Sequence, residues 1–308
     1  MILGYKSALE FAMRRIGIAI CLLALGCPWA VAQSEEDKAV SAKYAEAFTR
    51  LTELHSGIKD LHPLLEDLYP VAVAEGEVFY VFDVLEKDRS YELVKTARPP
   101  MIVPEGIRAA FPLDFYDNTM ACVVTGEVFD DLSGYATIFH EFIHCAQWAT
   151  CELELKARLS IAQEAAAADD YMWELSHPFP YADETFEEIY ALFLASAAAG
   201  DKAAVARCRA FLREVLNAQD YEYMVWQEWK EGFARHIENK VRAKLELELR
   251  VSQAVPPFDR VMFYEGGARY ISLLIAEDPD LEKDIKTLFQ RMASGCLLYT
   301  SPSPRDRS

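Results

Sequence analysis

The feature that most constrains this chain is the segment 137–148, which carries two histidines and a glutamate in the pattern H-E-x-x-H. The three residues are His140, Glu141 and His144. Residues four apart lie on the same face of a helix, so both imidazoles can point to one metal ion. Glu141 lies at the edge of that face, where it can take a proton from a water on the metal. The spacing therefore predicts a helical zinc site of the kind that hydrolases use.

The residues around the two histidines favour a buried helix. They are mostly apolar, and neither Gly nor Pro interrupts the run. The alternative is a core helix whose histidines are only hydrogen-bonded, although such a helix rarely needs a glutamate between them. Cys145 follows His144 directly, but it points about 100° away on a helix, which favours a disulfide or a buried thiol over a ligand.

Length and composition allow a large hydrophobic core and disfavour some partners. The chain has 308 residues, of which 52% are hydrophobic, enough for one large domain or two small ones. Its formal net charge is −18, with 31 basic and 49 acidic side chains. Because phosphate backbones and anionic lipids require basic surfaces, we expect neither nucleic acid nor a membrane surface as a partner.

The N-terminal segment 1–32 has the pattern of a signal peptide. A basic pair at 14–15 precedes an apolar run at 16–25, and the small-residue sequence Ala-Val-Ala at 30–32 resembles a cleavage site. The run is short for a stable membrane span. We therefore expect an exported protein, periplasmic or secreted. Acylation at Cys27, as in a lipoprotein, is a less favoured alternative.

The C-terminal segment 296–308 resembles the translation of a sequencing adapter rather than a natural protein sequence. We therefore assign the natural domain to residues 33–295 and expect it to be truncated at its C-terminus. The alternative is an ordinary tail rich in serine and proline.

Four cysteines lie between the two terminal segments: Cys122, Cys145, Cys151 and Cys208. In an exported protein, four cysteines allow two disulfides with three possible connectivities.

The rest of the pattern predicts an α+β fold, with a small mixed sheet next to the histidine helix and a mainly helical remainder. Apolar residues recur at helical spacing over 39–68, and almost all of 152–250 favours helix. Residues 77–85 and 120–125 have strand composition, and 94–103 can hold another short strand.

Strand 120–125 leads through a turn into the histidine helix. Residues 121–127 are therefore candidates for a sheet edge that pairs with extended substrate, although a purely structural strand fits equally well. His55 and His62 are interpreted as helix-surface residues, and His177 as a loop residue.

A catalytic zinc needs a third protein ligand, and the segment 229–238 offers one. Trp229, Glu231, Gly232 and Ala234 form a W-x-E-G-x-A pattern. This pattern resembles the third-ligand helix of the gluzincins, the thermolysin and aminopeptidase N-like clan of zinc metallopeptidases. The resemblance implies that Glu231 is the ligand, and that the small residues after it let the two metal-binding helices approach closely.

Alternatives to Glu231 remain open. The spacing of 87 residues from His144 to Glu231 is much longer than in thermolysin or aminopeptidase N. It is nearer to that of clan members with a helical insertion. Other possible third ligands are Glu228, His236, Glu238 and Glu265.

The segment 263–271 resembles the Tyr-x-x-Gly segment of aminopeptidase N-like enzymes. That resemblance implies that Tyr264, or as a second choice Tyr270, donates a hydrogen bond to the oxyanion of the reaction intermediate. A core tyrosine on an aromatic helix face is the alternative.

Together these features predict an exported zinc metallopeptidase that acts on a peptide or protein substrate. His140, His144 and Glu231 would bind Zn²⁺, and Glu141 would be the general base. The alternatives are a non-catalytic binding protein on a zincin fold and a helical scaffold without metal. Acidic residues that could hold a substrate amine, or only form a solvated turn, are Glu127, Asp130 and Asp131.

Overall fold

A computed structural model describes residues 34–85, 89–98, 103–252 and 255–295. The predicted signal peptide with Cys27 and the adapter-like segment 296–308 lie outside the described residues.

Within the described residues, the strands form one five-stranded mixed sheet in the order β3-β2-β1-β5-β4. The pair β1–β5 is parallel, and the other neighbouring strands are antiparallel. The prediction of a small mixed sheet is therefore confirmed. The strand bounds are β1 (Val71–Glu75), β2 (Val78–Leu85), β3 (Ser90–Ala97), β4 (Arg108–Leu113) and β5 (Thr119–Thr125).

The predicted sheet edge at 121–127 is wrong, because β5 lies inside the sheet between β1 and β4. The edge next to it is β4, which pairs with β5 through registers such as Ala110 opposite Cys122. Sequence patterns missed β4 because alanine and Pro112 weaken its strand signal. Proline is tolerated at an edge, where one side of the backbone needs no partner.

The helical remainder is also as expected, although the segment 152–250 is divided into several helices. The predicted helix 39–68 ends at Ile58 and continues as two short 3₁₀ turns. The helix bounds are α1 (Glu35–Ile58), α2 (Leu132–Gln147), α3 (Leu153–Lys156), α4 (Ser160–Ala167), α5 (Trp173–Ser176), α6 (Glu184–Ala198), α7 (Lys202–Val215), α8 (Ala218–Lys244), α9 (Met262–Glu277) and α10 (Ile285–Ser294).

Helix α2 lies in the core between the sheet and α8. Asp131 caps its first turn by accepting a hydrogen bond from the Gly134 backbone nitrogen at 2.8 Å. A Cβ atom at Gly134 would lie 1.8 Å from the Val128 carbonyl oxygen, so only glycine fits this close turn. From Gly134 to Gln147 every residue of α2 is buried, as the apolar sequence predicts.

Three sequence-based interpretations of histidine and cysteine change. The four cysteines are buried and unpaired, so the expected disulfides are not formed. His55 and His62 are buried rather than on the surface. The His55 Nε2 atom lies 2.8 Å from the Leu65 carbonyl oxygen, and His62 Nε2 lies 2.7 Å from that of Glu282.

None of the helices in the described residues is both long and apolar enough to cross a bilayer.

Candidate metal site

The two histidines of α2 point to one place in the interior. The Nε2 atoms of His140 and His144 lie 3.2 Å apart, and both residues are about 5% exposed. Four-residue spacing on a buried helix therefore produces the convergence that the sequence predicts.

Helix α8 brings a carboxylate to the same place. The Glu231 Oε2 atom lies 3.2 Å from His144 Nε2 and 3.6 Å from His140 Nε2. His140, His144 and Glu231 are also the one group of ligand-type side chains, among the described residues, whose geometry could hold a metal ion.

The alternatives to Glu231 have other partners. Glu228 pairs with Arg209 at 2.6 Å, and Glu265 pairs with Arg269 at 2.6 Å. His236 Nδ1 lies 3.1 Å from the Ser272 hydroxyl. Of the possible third ligands that the sequence offers, Glu231 is therefore the one that the packing of α8 on α2 places next to both Nε2 atoms.

The spacing of the three ligand atoms fits a small tetrahedral ion. Bonds of 2.0–2.1 Å in a tetrahedron separate neighbouring ligand atoms by about 3.3 Å. The observed separations are 3.2, 3.2 and 3.6 Å. Two imidazoles and one carboxylate are also the donor set of catalytic zinc sites, in which a fourth position remains for water.

A second carboxylate, which the sequence offered only as an alternative ligand, holds the far side of His140. Glu238 Oε2 lies 3.1 Å from His140 Nδ1, and Glu238 is fully buried. A proton on Nδ1 leaves the Nε2 lone pair free for a metal. Glu238 is itself held by arginines at 3.1, 3.6 and 3.5 Å, namely Arg235, Arg242 and Arg250.

His144 is oriented in the same way by an amide. Its Nδ1 atom lies 2.9 Å from Gln147 Oε1, and Gln147 Nε2 donates to the Lys230 carbonyl oxygen at 3.2 Å. Gln147 is fully buried. This link joins α2 to the residue that precedes Glu231. The Nδ1 atom of each imidazole therefore has a buried partner that orients the ring.

The charges at the site depend on one another. Burial lowers the pKa of His140, but the Glu231 and Glu238 carboxylates outweigh this effect and raise it to about 9. Burial raises the pKa of Glu231, yet the two histidines hold it well below its usual range. Without a metal, His140 therefore carries a second ring proton and a positive charge at neutral pH. A metal ion that binds to Nε2 would displace that proton.

Glu141 is buried beside the two histidines, at 6% exposure. Burial raises the pKa of its carboxyl, and the electrostatic effect of the two neighbouring histidines acts in the opposite direction. The site therefore has a buried carboxyl group with a raised pKa beside the two histidines.

Helix α9 places Tyr264 against the site. The Tyr264 ring stacks on the His140 ring, with centroids 6.2 Å apart and planes 9° from parallel. Burial, and next the charge of Glu231, raise the pKa of Tyr264, so its hydroxyl keeps its proton. Arg260, just before α9, donates from Nη1 to Glu231 Oε1 at 3.3 Å.

Gly232 has a different partner from the one that the resemblance implies. A Cβ atom on Gly232 would lie 2.5 Å from the Gly267 Cα, and one on Gly267 would lie 2.1 Å from the Glu228 carbonyl oxygen. The glycine pair therefore joins α8 to α9, not to the histidine helix. The two glycines allow the helix that carries Glu231 and the helix that carries Tyr264 to pack closely.

The remaining candidates lie apart from the three ligand-type residues. Tyr270 packs under the guanidinium of Arg209, 4.9 Å from its ring centroid. His177, in a loop as predicted, lies 2.7 Å from Asp220 Oδ1. Asp131 caps α2, whereas Glu127 and Asp130 line an open cavity of about 710 Å³ that begins near the start of that helix.

Comparisons of the chain with protein-family models, with curated proteins and with solved structures find no match.

Proposed function

We propose that this chain is an exported zinc metallopeptidase of gluzincin type with a zincin-like fold. The observation that supports it best is the convergence of His140, His144 and Glu231 at tetrahedral ligand spacing, with Glu141 beside them. A binding protein without catalysis would need no glutamate in this place. The intact Glu141 therefore favours an enzyme over an inactive relative.

Each side chain has a defined part in the proposed reaction. His140, His144 and Glu231 would hold the zinc. Zinc at this site would lower the pKa of a water molecule to about 7 and polarise the substrate carbonyl. Glu141 would accept the proton of that water and pass it to the leaving amine. Tyr264, whose raised pKa keeps its hydroxyl protonated, would donate a hydrogen bond to the oxyanion.

The substrate would be a peptide in extended form. Strand β4 is the sheet edge on the side of β5, and it lies next to the histidine helix. An edge strand has backbone groups free to pair with another chain, so β4 takes the place first assigned to β5.

The test is the substitution Glu141→Gln in zinc-loaded protein, with Glu214→Gln as control because Glu214 is an exposed residue of α7. Hydrolysis of a mixed peptide library is followed by mass spectrometry, and bound zinc is measured in parallel. We expect Glu141→Gln to keep zinc and to lose activity by a factor of about 10²–10⁴, the usual contribution of a general base. Wild-type turnover in this variant would overturn the mechanism.

A further inference from the structure

Arginines around the candidate site differ in how fully their charge is neutralised. Arg235 and Arg250 both pair with the buried Glu238. The carboxylate that pairs with Arg260, among the described residues, is Glu231 alone. Glu231 is also the proposed metal ligand, so a bound ion would compete with Arg260 for its negative charge.

The hydrogen bonds of Arg260 leave capacity for another anion. Its Nη1 atom donates to Glu231 Oε1 at 3.3 Å and to the neutral Gln227 Oε1 at 3.2 Å. The distance to Glu231 exceeds the 2.7–2.9 Å that is usual for a guanidinium on a carboxylate. A guanidinium has five N–H donors in a planar fork. The Nη1 atom makes these two contacts, and the Tyr264 hydroxyl is a further hydrogen-bond partner of the side chain, so other donors stay available.

Arg260 is also accessible and close to the reacting atoms. Its side chain is 26% exposed, whereas that of Arg235 is 4% exposed. Its guanidinium carbon lies 5.5 Å from the ring centroid of Tyr264, and that ring stacks on His140. A substrate at the metal would therefore have a partly exposed cation next to it.

We propose that Arg260 binds a carboxylate of the substrate, and that the site selects peptides with a free carboxylate near the cleaved bond. This inference rests on the proposed peptidase function. The carboxylate can be the C-terminus of the peptide or an acidic side chain, because the planar fork of arginine fits both. The charge and donors of Arg260 thus add a specificity element to the metal centre.

The test uses zinc-loaded full-length protein with Glu141→Gln, so that peptides bind without being consumed. The probe is a six-residue peptide of alanine and one phenylalanine, prepared as the free acid, as the C-terminal amide, and as the amide with one internal glutamate. Affinities are measured by calorimetry, with and without zinc. We expect one of the carboxylate forms to bind about tenfold more tightly than the neutral amide, as a charged hydrogen bond allows. Which form does so identifies the source of the carboxylate.

Adding Arg260→Ala should remove the preference, and Arg260→Lys should restore it only in part because lysine lacks the fork. Arg158→Ala is the control, since Arg158 is exposed in the turn after α3 and its carboxylate partner among the described residues is Glu154. Equal affinity for all three peptides, or a preference that persists without Arg260, would overturn the inference.

The same peptides given to the wild-type enzyme separate the two ideas. If it hydrolyses the neutral amide as fast as both carboxylate forms, the carboxylate preference is wrong and the peptidase function stands. If zinc-loaded protein cleaves none of them or any library peptide, the peptidase function fails. A carboxylate preference in binding would then still support a recognition role for Arg260.

Discussion

Substitution of Glu238 gives the sharpest test of how the candidate site is held. The Glu238 carboxylate accepts from His140 Nδ1 at 3.1 Å and is also bound by Arg235, at 3.1 Å. Glu238→Asp keeps the charge for the arginines but shortens the side chain by about 1.5 Å, one C–C bond. The hydrogen bond to His140 is then too long, while the ionic contacts can adjust.

The expected loss of zinc affinity follows from the role of such partners. Removing the group that orients a ligating histidine typically costs 10–100-fold in metal affinity, or about 1.4–2.7 kcal/mol. Glu238→Gln should lose a similar amount and should also destabilise the fold. A buried guanidinium that loses its carboxylate costs about 3–5 kcal/mol, and Arg235 has only 4% of its side chain exposed.

The assay is competition for zinc against a coloured chelator at fixed pH, with thermal unfolding of the metal-free protein beside it. Glu214→Gln on the surface of α7 serves as the control and should match the wild type in both measurements. Wild-type zinc affinity in folded Glu238→Asp would refute the argument that Glu238 positions His140.

Three further predictions concern packing, pH and proton release. Gly267→Ala should lower the free energy of unfolding by about 1–3 kcal/mol or more, because its Cβ would meet the Glu228 carbonyl oxygen at 2.1 Å. Gly57→Ala, with no atom within 4 Å of its Cβ, is the control and should be neutral or stabilising in urea titrations. Burial, and next the positive charge of Lys240, lowers the pKa of His62 from 6.5 to about 4. Between these two pH values the unfolded state binds more protons than the folded state. The free energy of unfolding should therefore fall as the pH drops from 6.5 to 4. His62→Asn should remove about 3 kcal/mol of that pH dependence, measured as unfolding free energy at pH 7.5 and pH 4, and an unchanged slope would contradict the assignment. Zinc loading at pH 7.5 should release at least about one proton, because the pKa of His140 is about 9 without metal and the zinc-bound water can lose a further proton. Calorimetry in buffers of different ionisation enthalpy measures this release, and a value well below one proton would contradict the prediction.

The sequence predicted best where neighbouring residues decide the geometry. The four-residue spacing of His140 and His144 fixes their common face once α2 forms. Strands β2 and β5 are rich in β-branched and aromatic residues, so their composition revealed them. The composition of β4 gives only a weak strand signal, so this strand was not predicted from the sequence. As a result, the edge of the sheet was wrongly assigned to β5.

Long-range packing decided what the sequence could not. Glu228, Glu231 and Glu238 lie on one side of α8, because steps of three and seven residues return to nearly the same face. Their roles differ because Arg209 of α7 takes Glu228, whereas the histidines of α2 take the other two. No local pattern distinguishes these three carboxylates.

The imidazole of His140 lies between Glu231 and Glu238, which stand two turns apart on a single helix. Deleting one residue between them would rotate the Glu238 side chain by about 100° around the helix axis relative to Glu231. The two carboxylates could then no longer contact His140 together. The long stretch from α2 to α8 has no such restriction, provided that α8 still docks on α2. Chains that share this centre should therefore differ freely in length between the two helices, yet keep an invariant seven-residue interval inside α8.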